Sequence, residues 1–144
     1  MKTFKFIAIL VVFFFGFHAL SAQCVEGNCY NGKGAYLVGS EGIYVGYFEG
    51  GEVSGKGIFL HENGIKLYSF FKNGLPDGKS TFLLPNGNKL FCSFVDGLLH
   101  GESKMVDSNG LELGLIIWKR GEISDMIIFD YNQKPQPNAS VRHL

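Results

Sequence analysis

A chain of 144 residues with 46% hydrophobic and 18% charged side chains can order one domain, which excludes an intrinsically disordered polymer. Thirteen basic residues balance thirteen acidic ones, so composition gives no electrostatic case for nucleic acid or an anionic membrane.

The chain opens on a secretory pattern. Lys2 and Lys5 precede an unbroken apolar run from Phe6 to Gly16, and Ala19-Leu20-Ser21-Ala22 offers small residues for signal-peptidase cleavage before Gln23. Residues 1–22 are therefore expected to be a signal peptide, sending the protein to the periplasm, cell envelope or medium. A retained anchor is the rival, but Gly16 and His18 interrupt a stretch already short for a bilayer. Lipid modification of Cys24 is disfavoured because Gln23 occupies the small-residue position before it. Removing residues 1–22 takes away two lysines and no acids, leaving 11 basic against 13 acidic side chains.

The remaining chain repeats itself. Gly32, Gly55, Gly78 and Gly101 recur every 23 residues; Gly51, Gly74 and Gly97 keep that spacing, with Gly121 one residue late. Gly42, Gly64, Gly87 and Gly110 form a third column, and Lys33, Lys56 and Lys79 follow the first until Glu102 breaks the run. Between glycines the residues alternate as in strands. Tyr44, Gly46 and Phe48 share a face with Leu67, Ser69 and Phe71, then Leu90, Cys92 and Phe94, then Leu113, Leu115 and Ile117. A second strand per unit carries Gly34/Tyr36, Gly57/Phe59, Ser80/Phe82 and Ser103/Met105. Asn63-Gly64, Asn86-Gly87 and Asn109-Gly110 suit type I′ turns, which need positive φ at both central residues. The expectation is an all-β, elongated, single-layer antiparallel meander over residues 23–129, built from about four hairpin units.

The segment Tyr44-Val-Gly-Tyr-Phe-Glu-Gly-Gly-Glu-Val-Ser-Gly-Lys-Gly57 resembles a MORN repeat: Tyr-x-Gly, an aromatic, a loop glycine, then Gly-x-Gly. Cys24 to Gly34 is similar to the half-repeat that starts many bacterial MORN proteins. Ser69, Cys92, Ser80 and Ser103 depart from the family's glycines, and the unit around Trp118 matches poorly. The resemblance implies a single-layer sheet used as an interaction module, with lipid binding, scaffolding or dimer formation as the family's attributed roles.

Chemistry-bearing motifs are thin. Gly50 to Lys56 and Gly78-Lys79-Ser80 imitate phosphate-binding loops, yet each lacks one required residue and neither opens a helix. No cofactor is expected. Cys24 and Cys29 read as a disulfide pinning the first strand, and no further ligands stand nearby to make a metal site. Cys92, in the small-residue column, reads as a buried, inert thiol. Asp77 and His100 occupy equivalent places in adjacent units, but no nucleophile accompanies them, and no catalytic residue is expected. Asn138-Ala-Ser140 matches a glycosylation acceptor that matters only in a eukaryotic secretory pathway.

The second strand face is the candidate site. Val45, Tyr47, Tyr68, Phe70, Phe91, Val95, Ile116 and Trp118 alternate with the first face, and a single-layer sheet cannot cover both. Tyr47, Tyr68, Phe70, Phe91 and Trp118 are the candidate partner-binding residues, since aromatic anchors serve such surfaces. Shielding by twist, loops or the segment from Met126 to Phe129 is the structural alternative. The expected function is protein–protein interaction or scaffolding at the envelope, with an unidentified protein or a second copy as partner. Membrane-lipid binding through the aromatic face is the alternative, and a small enzyme the third reading. Residues 130–144, with Pro135 and Pro137, read as a flexible tail.

Overall fold

The computed structural model describes residues 23–129; residues 1–22, expected to be a signal peptide, and residues 130–144, expected to be a tail, lie outside the described residues. Eleven strands follow one another: β1 (Gln23–Gly27), β2 (Gly32–Val38), β3 (Gly42–Glu49), β4 (Glu52–His61), β5 (Lys66–Lys72), β6 (Leu75–Leu83), β7 (Lys89–Val95), β8 (Leu98–Leu99), β9 (Gly101–Val106), β10 (Glu112–Lys119) and β11 (Glu122–Ile128). They form one open antiparallel sheet in meander order. β7 pairs with both β8 and β9, two parts of one strand interrupted at His100. Extensive contacts among the described residues run only between hydrogen-bonded neighbours, so the sheet is a single layer.

Two kinds of hairpin alternate. Gly50-Gly51, Asn73-Gly74, Asp96-Gly97 and Arg120-Gly121 all have positive φ at both residues, as two-residue type I′ connections require. The Asn-Gly pairs expected to make such turns do something else. Only Gly64, Gly87 and Gly110 are left-handed there, while the preceding asparagines are not. The Gly64 amide donates to the His61 carbonyl and the His61 amide to the Ile65 carbonyl, closing a three-residue loop. The Asn63 side chain accepts from the Ile65 amide. The reason is loop length: one extra residue lets a type I turn followed by a left-handed glycine replace the type I′ turn.

The leading glycine column also has a structural cause. Gly46 pairs with Gly57 and Tyr47 with Ser54, so Gly55 and Lys56 are extra residues in β4 relative to β3. The same surplus recurs in β6 at Gly78-Lys79 and between β8 and β9. Gly55, Gly78 and Gly101 hold φ of 66, 72 and 74 degrees at these bulges, a conformation glycine adopts without a Cβ clash.

One face is closed by rings lying over small residues. Gly34, Gly46, Gly57 and Ser69 are register partners across β2 to β5, and Ser80 pairs with Cys92 on β6 and β7. The Tyr44 ring lies on this floor: a Cβ at Gly46 or Gly57 would stand 2.3 Å from Tyr44 Oη. Phe48 and Phe71 meet Tyr44 edge-on at centroid distances of 5.2 and 5.1 Å. Tyr44 Oη donates to the Tyr47 carbonyl, and burial raises its pKa from 10.0 to about 12. Leu67, Phe71, Phe82, Leu90, Phe94 and Leu99 continue the core.

The last unit corrects the expected facing. Gly114, Ile116 and Trp118 are buried, whereas Leu113, Leu115 and Ile117 are only partly so. Glu112 pairs with Val106 and Gly114 with Met105, so Leu113 is one bulged residue. That bulge shifts the alternation by one, which a side-chain period of two converts into a swap of faces. Trp118 thus continues the column of Phe48, Phe71 and Phe94, and leaves the candidate binding face.

Cys24 and Cys29 form a disulfide, compatible with an oxidising compartment. It fastens edge strand β1, whose residues are all exposed. Cys92 is buried, and its thiol is pushed up to about 12 by burial, which keeps it un-ionised and unreactive at neutral pH. The segment from Met126 to Phe129 does not fold over the open face: through Ile128 it is part of β11, paired to β10 at the edge, and Met126 packs against the core on the closed face.

Candidate binding face

The face opposite the closed one carries two side-chain rows set by register. One step from the small-residue floor, Lys33 pairs with Tyr47. After the β4 bulge, Lys56 pairs with Phe70; after the β6 bulge, Lys79 pairs with Ser93. The pairs Lys33–Tyr47, Lys56–Phe70 and Lys79–Ser93 thus follow one another across the face, a lysine and a ring alternating until the serine, while the surplus residues at the bulges leave Ser54 opposite Tyr47 and Asp77 opposite Phe70. On the other side of the floor lie Ala35, Val45, Ile58, Tyr68, Thr81 and Phe91, which are successive register partners.

These side chains line a shallow trough of about 770 Å³ that takes in Lys33, Tyr47, Lys56, Tyr68, Phe70 and Lys79. Tyr68 and Lys79 also border a second depression of about 390 Å³ reaching Phe91. The candidate rings sit in the open: Tyr47 is 44% exposed, Tyr68 39%, Phe70 49% and Phe91 44%. Trp118, at 2%, is not among them. The structure brings the first four together and removes the fifth.

Charge is segregated on this face. The described residues hold 9 basic and 12 acidic side chains, hence a net of 9 − 12 = −3, yet the trough sets three lysines against Glu26 alone. Among the described residues none of Lys33, Lys56 and Lys79 has an acidic partner; the ion pairs are His61–Glu41 and Lys104–Glu112. Lys33 instead lies 4.9 Å from the Tyr47 ring centroid, a cation–π distance. Farther along, Lys104 is neutralised by its hydrogen bond to Glu112, which raises its pKa. The carboxylate of Asp107, at the β9–β10 turn, is held down mainly by the Leu111 amide. Asp77 lies opposite Phe70, His100 is exposed at the β8–β9 break, and no hydrogen bond or ion pair joins them. The Gly50–Lys56 and Gly78–Ser80 segments form a hairpin with its bulge and a second bulge, each continuing as strand.

The lysines were the part of the site missed from sequence. Their 23-residue recurrence was the available signal, but interleaving with Tyr47 and Phe70 depends on the bulges.

Fold and face together define a class: a single-layer repeat sheet with one face closed by its own rings and one left open. The sequence matches no protein-family profile and no curated protein.

Proposed function

We propose that this chain is an exported MORN-type repeat module that acts without catalysis, docking a partner protein on its open face. The observation that carries this reading is the exposure of Tyr47, Tyr68, Phe70 and Phe91 side by side on a face that no other described element covers. Exposed rings at this density hold apolar area that a partner can remove from water, and aromatic residues dominate the energetics of such contacts. The disulfide between Cys24 and Cys29 fits an exported life, and Gly46, Gly51, Gly55 and Gly57 fit the glycine pattern of the MORN-type repeat that the chain resembles.

The test is cross-linking of the chain in its native envelope, with a Phe70→Ala/Phe91→Ala variant beside it. The reading expects one protein to be linked to the wild type and lost from the variant. Equal recovery with both chains, or retention on membranes with no linked protein, would overturn it.

A further inference from the structure

We propose that the row Lys33–Tyr47–Lys56–Phe70–Lys79 receives an acidic polyproline II segment of the partner, with one carboxylate at every third residue. The inference rests on the reading above that the open face docks a protein, and adds the chemistry of the docking segment.

Three observations combine. The first is charge: three lysines, none of them ion-paired, outnumber the two acids beside the row, Glu26 and Asp77, in an otherwise net-acidic sheet. They favour an anionic ligand and are half-prepared for it, since no existing ion pair must be broken. The second is period. The lysines stand on β2, β4 and β6, and alternate strands of a sheet lie about 9.6 Å apart. A polyproline II helix has three residues per turn and advances about 9.3 Å in that turn. Acidic residues at i, i+3 and i+6 therefore meet the three lysines in step, while the rings of Tyr47 and Phe70 fall between turns. The third is backbone chemistry. The floor is the middle of a sheet, whose strands are paired on both sides except at the surplus residues of the bulges, so it offers no free edge. An added β-strand needs a free edge. A polyproline II chain keeps its polar backbone solvated and docks on aromatic-lined grooves by its side chains.

The row also sets the length and limit of the site. Beyond Lys79 the alternation ends at Ser93, and Glu102 takes the place of the next lysine. An acidic segment is repelled there, so the contact spans β2 to β6, about two turns of the ligand helix. The chain's own tail does not fit, because residues 130–144 hold one acid, Asp130, against Lys134 and Arg142.

The experiment is fluorescence-anisotropy titration of the purified full chain with labelled synthetic peptides of equal charge. One repeats Pro-Pro-Glu, one repeats Gly-Gly-Glu and one repeats Pro-Pro-Pro-Glu; phosphatidylglycerol vesicles form a further arm. The proposal expects the Pro-Pro-Glu peptide to bind best and to weaken as salt rises. Lys56→Ala/Lys79→Ala should lower its affinity by roughly fivefold to tenfold without moving the thermal midpoint, because both lysines are exposed. Equal binding of all three peptides would reduce the row to a non-specific anion attractor and overturn the proposal. Vesicle binding without peptide binding, or no binding at all, would overturn it too. If the cross-linked partner of Phe70 and Phe91 survives while the triplet peptide fails, only this inference falls and the protein-docking reading stands.

Discussion

Two rows of this sheet lie one residue apart and have opposite duties. Gly34, Gly46, Gly57, Ser69, Ser80 and Cys92 run across the closed face beneath the rings, and Lys33, Tyr47, Lys56, Phe70 and Lys79 run beside them on the open face. On the closed face size is everything, since a Cβ at Gly57 meets Tyr44 at 2.3 Å. The open row is free of that constraint, and its side chains are long, exposed and charged or aromatic. In a single-layer sheet, then, a residue's worth to the fold and its availability for binding are separated by one step along the strand.

The closed face itself divides. Its N-terminal half is floored by glycine under Tyr44, whereas the later half has buried hydroxyls and a thiol at the floor positions and the smaller, buried Leu67 and Leu90 at the places equivalent to Tyr44. Filling the floor with polar atoms requires partners for them. Ser69 Oγ and Ser80 Oγ lie 2.7 Å apart, and Cys92 donates to the Ser80 carbonyl. Ser103 Oγ and Trp118 Nε1 are buried with no partner among the described residues.

Breaking the closed face at Trp118 should have the largest effect. Trp118→Ala is expected to cost about 3–5 kcal/mol in urea unfolding, because it empties a site only 2% exposed. Gly57→Ala comes next, at about 1–3 kcal/mol, as the buried Tyr44 ring cannot swing clear of Phe48 and Phe71. Tyr44→Leu in the same chain should recover part of that loss, since it recreates the pairing of leucine with a larger floor seen in the later units; additivity of the two changes would contradict the ring-on-floor account.

Alkaline titration sharpens the comparison further. Unfolded, Tyr44 and Cys92 release protons near 10.0 and 9.0, whereas folded they hold them to about 12. Both groups stay protonated in either state below about pH 9, so they add no pH dependence there. From there to about 12 the unfolded state sheds protons first, and stability falls as pH rises. Unfolding midpoints measured across that window should fall less steeply in Tyr44→Phe and in Cys92→Ala. The smallest effect belongs to Ser103→Ala. Removing an unpartnered buried hydroxyl should leave stability unchanged or raise it by up to about 1 kcal/mol, read from the same denaturation curves.

The 23-residue glycine columns made the meander legible, because positive-φ glycines at bulges and turns are a direct demand of backbone sterics. What escaped sequence reasoning were insertions of one residue. Leu113 shows it: nothing in its chemistry distinguishes a bulge from a strand position, yet it moves Trp118 from the open to the closed face. Asn63-Gly64 shows it again, since the dipeptide suits either a two-residue or a three-residue loop and only strand pairing decides. The four exposed aromatics were legible from alternation. The lysines joined them only once the surplus residues at Gly55-Lys56 and Gly78-Lys79 were placed.

Phe70 and Phe71 put the separation of the faces to its most direct test, as neighbours of one chemistry that are 49% and 1% exposed. Denaturation of the two alanine variants should show Phe71→Ala losing about 3–5 kcal/mol and Phe70→Ala less than about 1 kcal/mol. Losses of equal size would mean that the open face also holds the fold together, and the assignment of that face to a partner would fail.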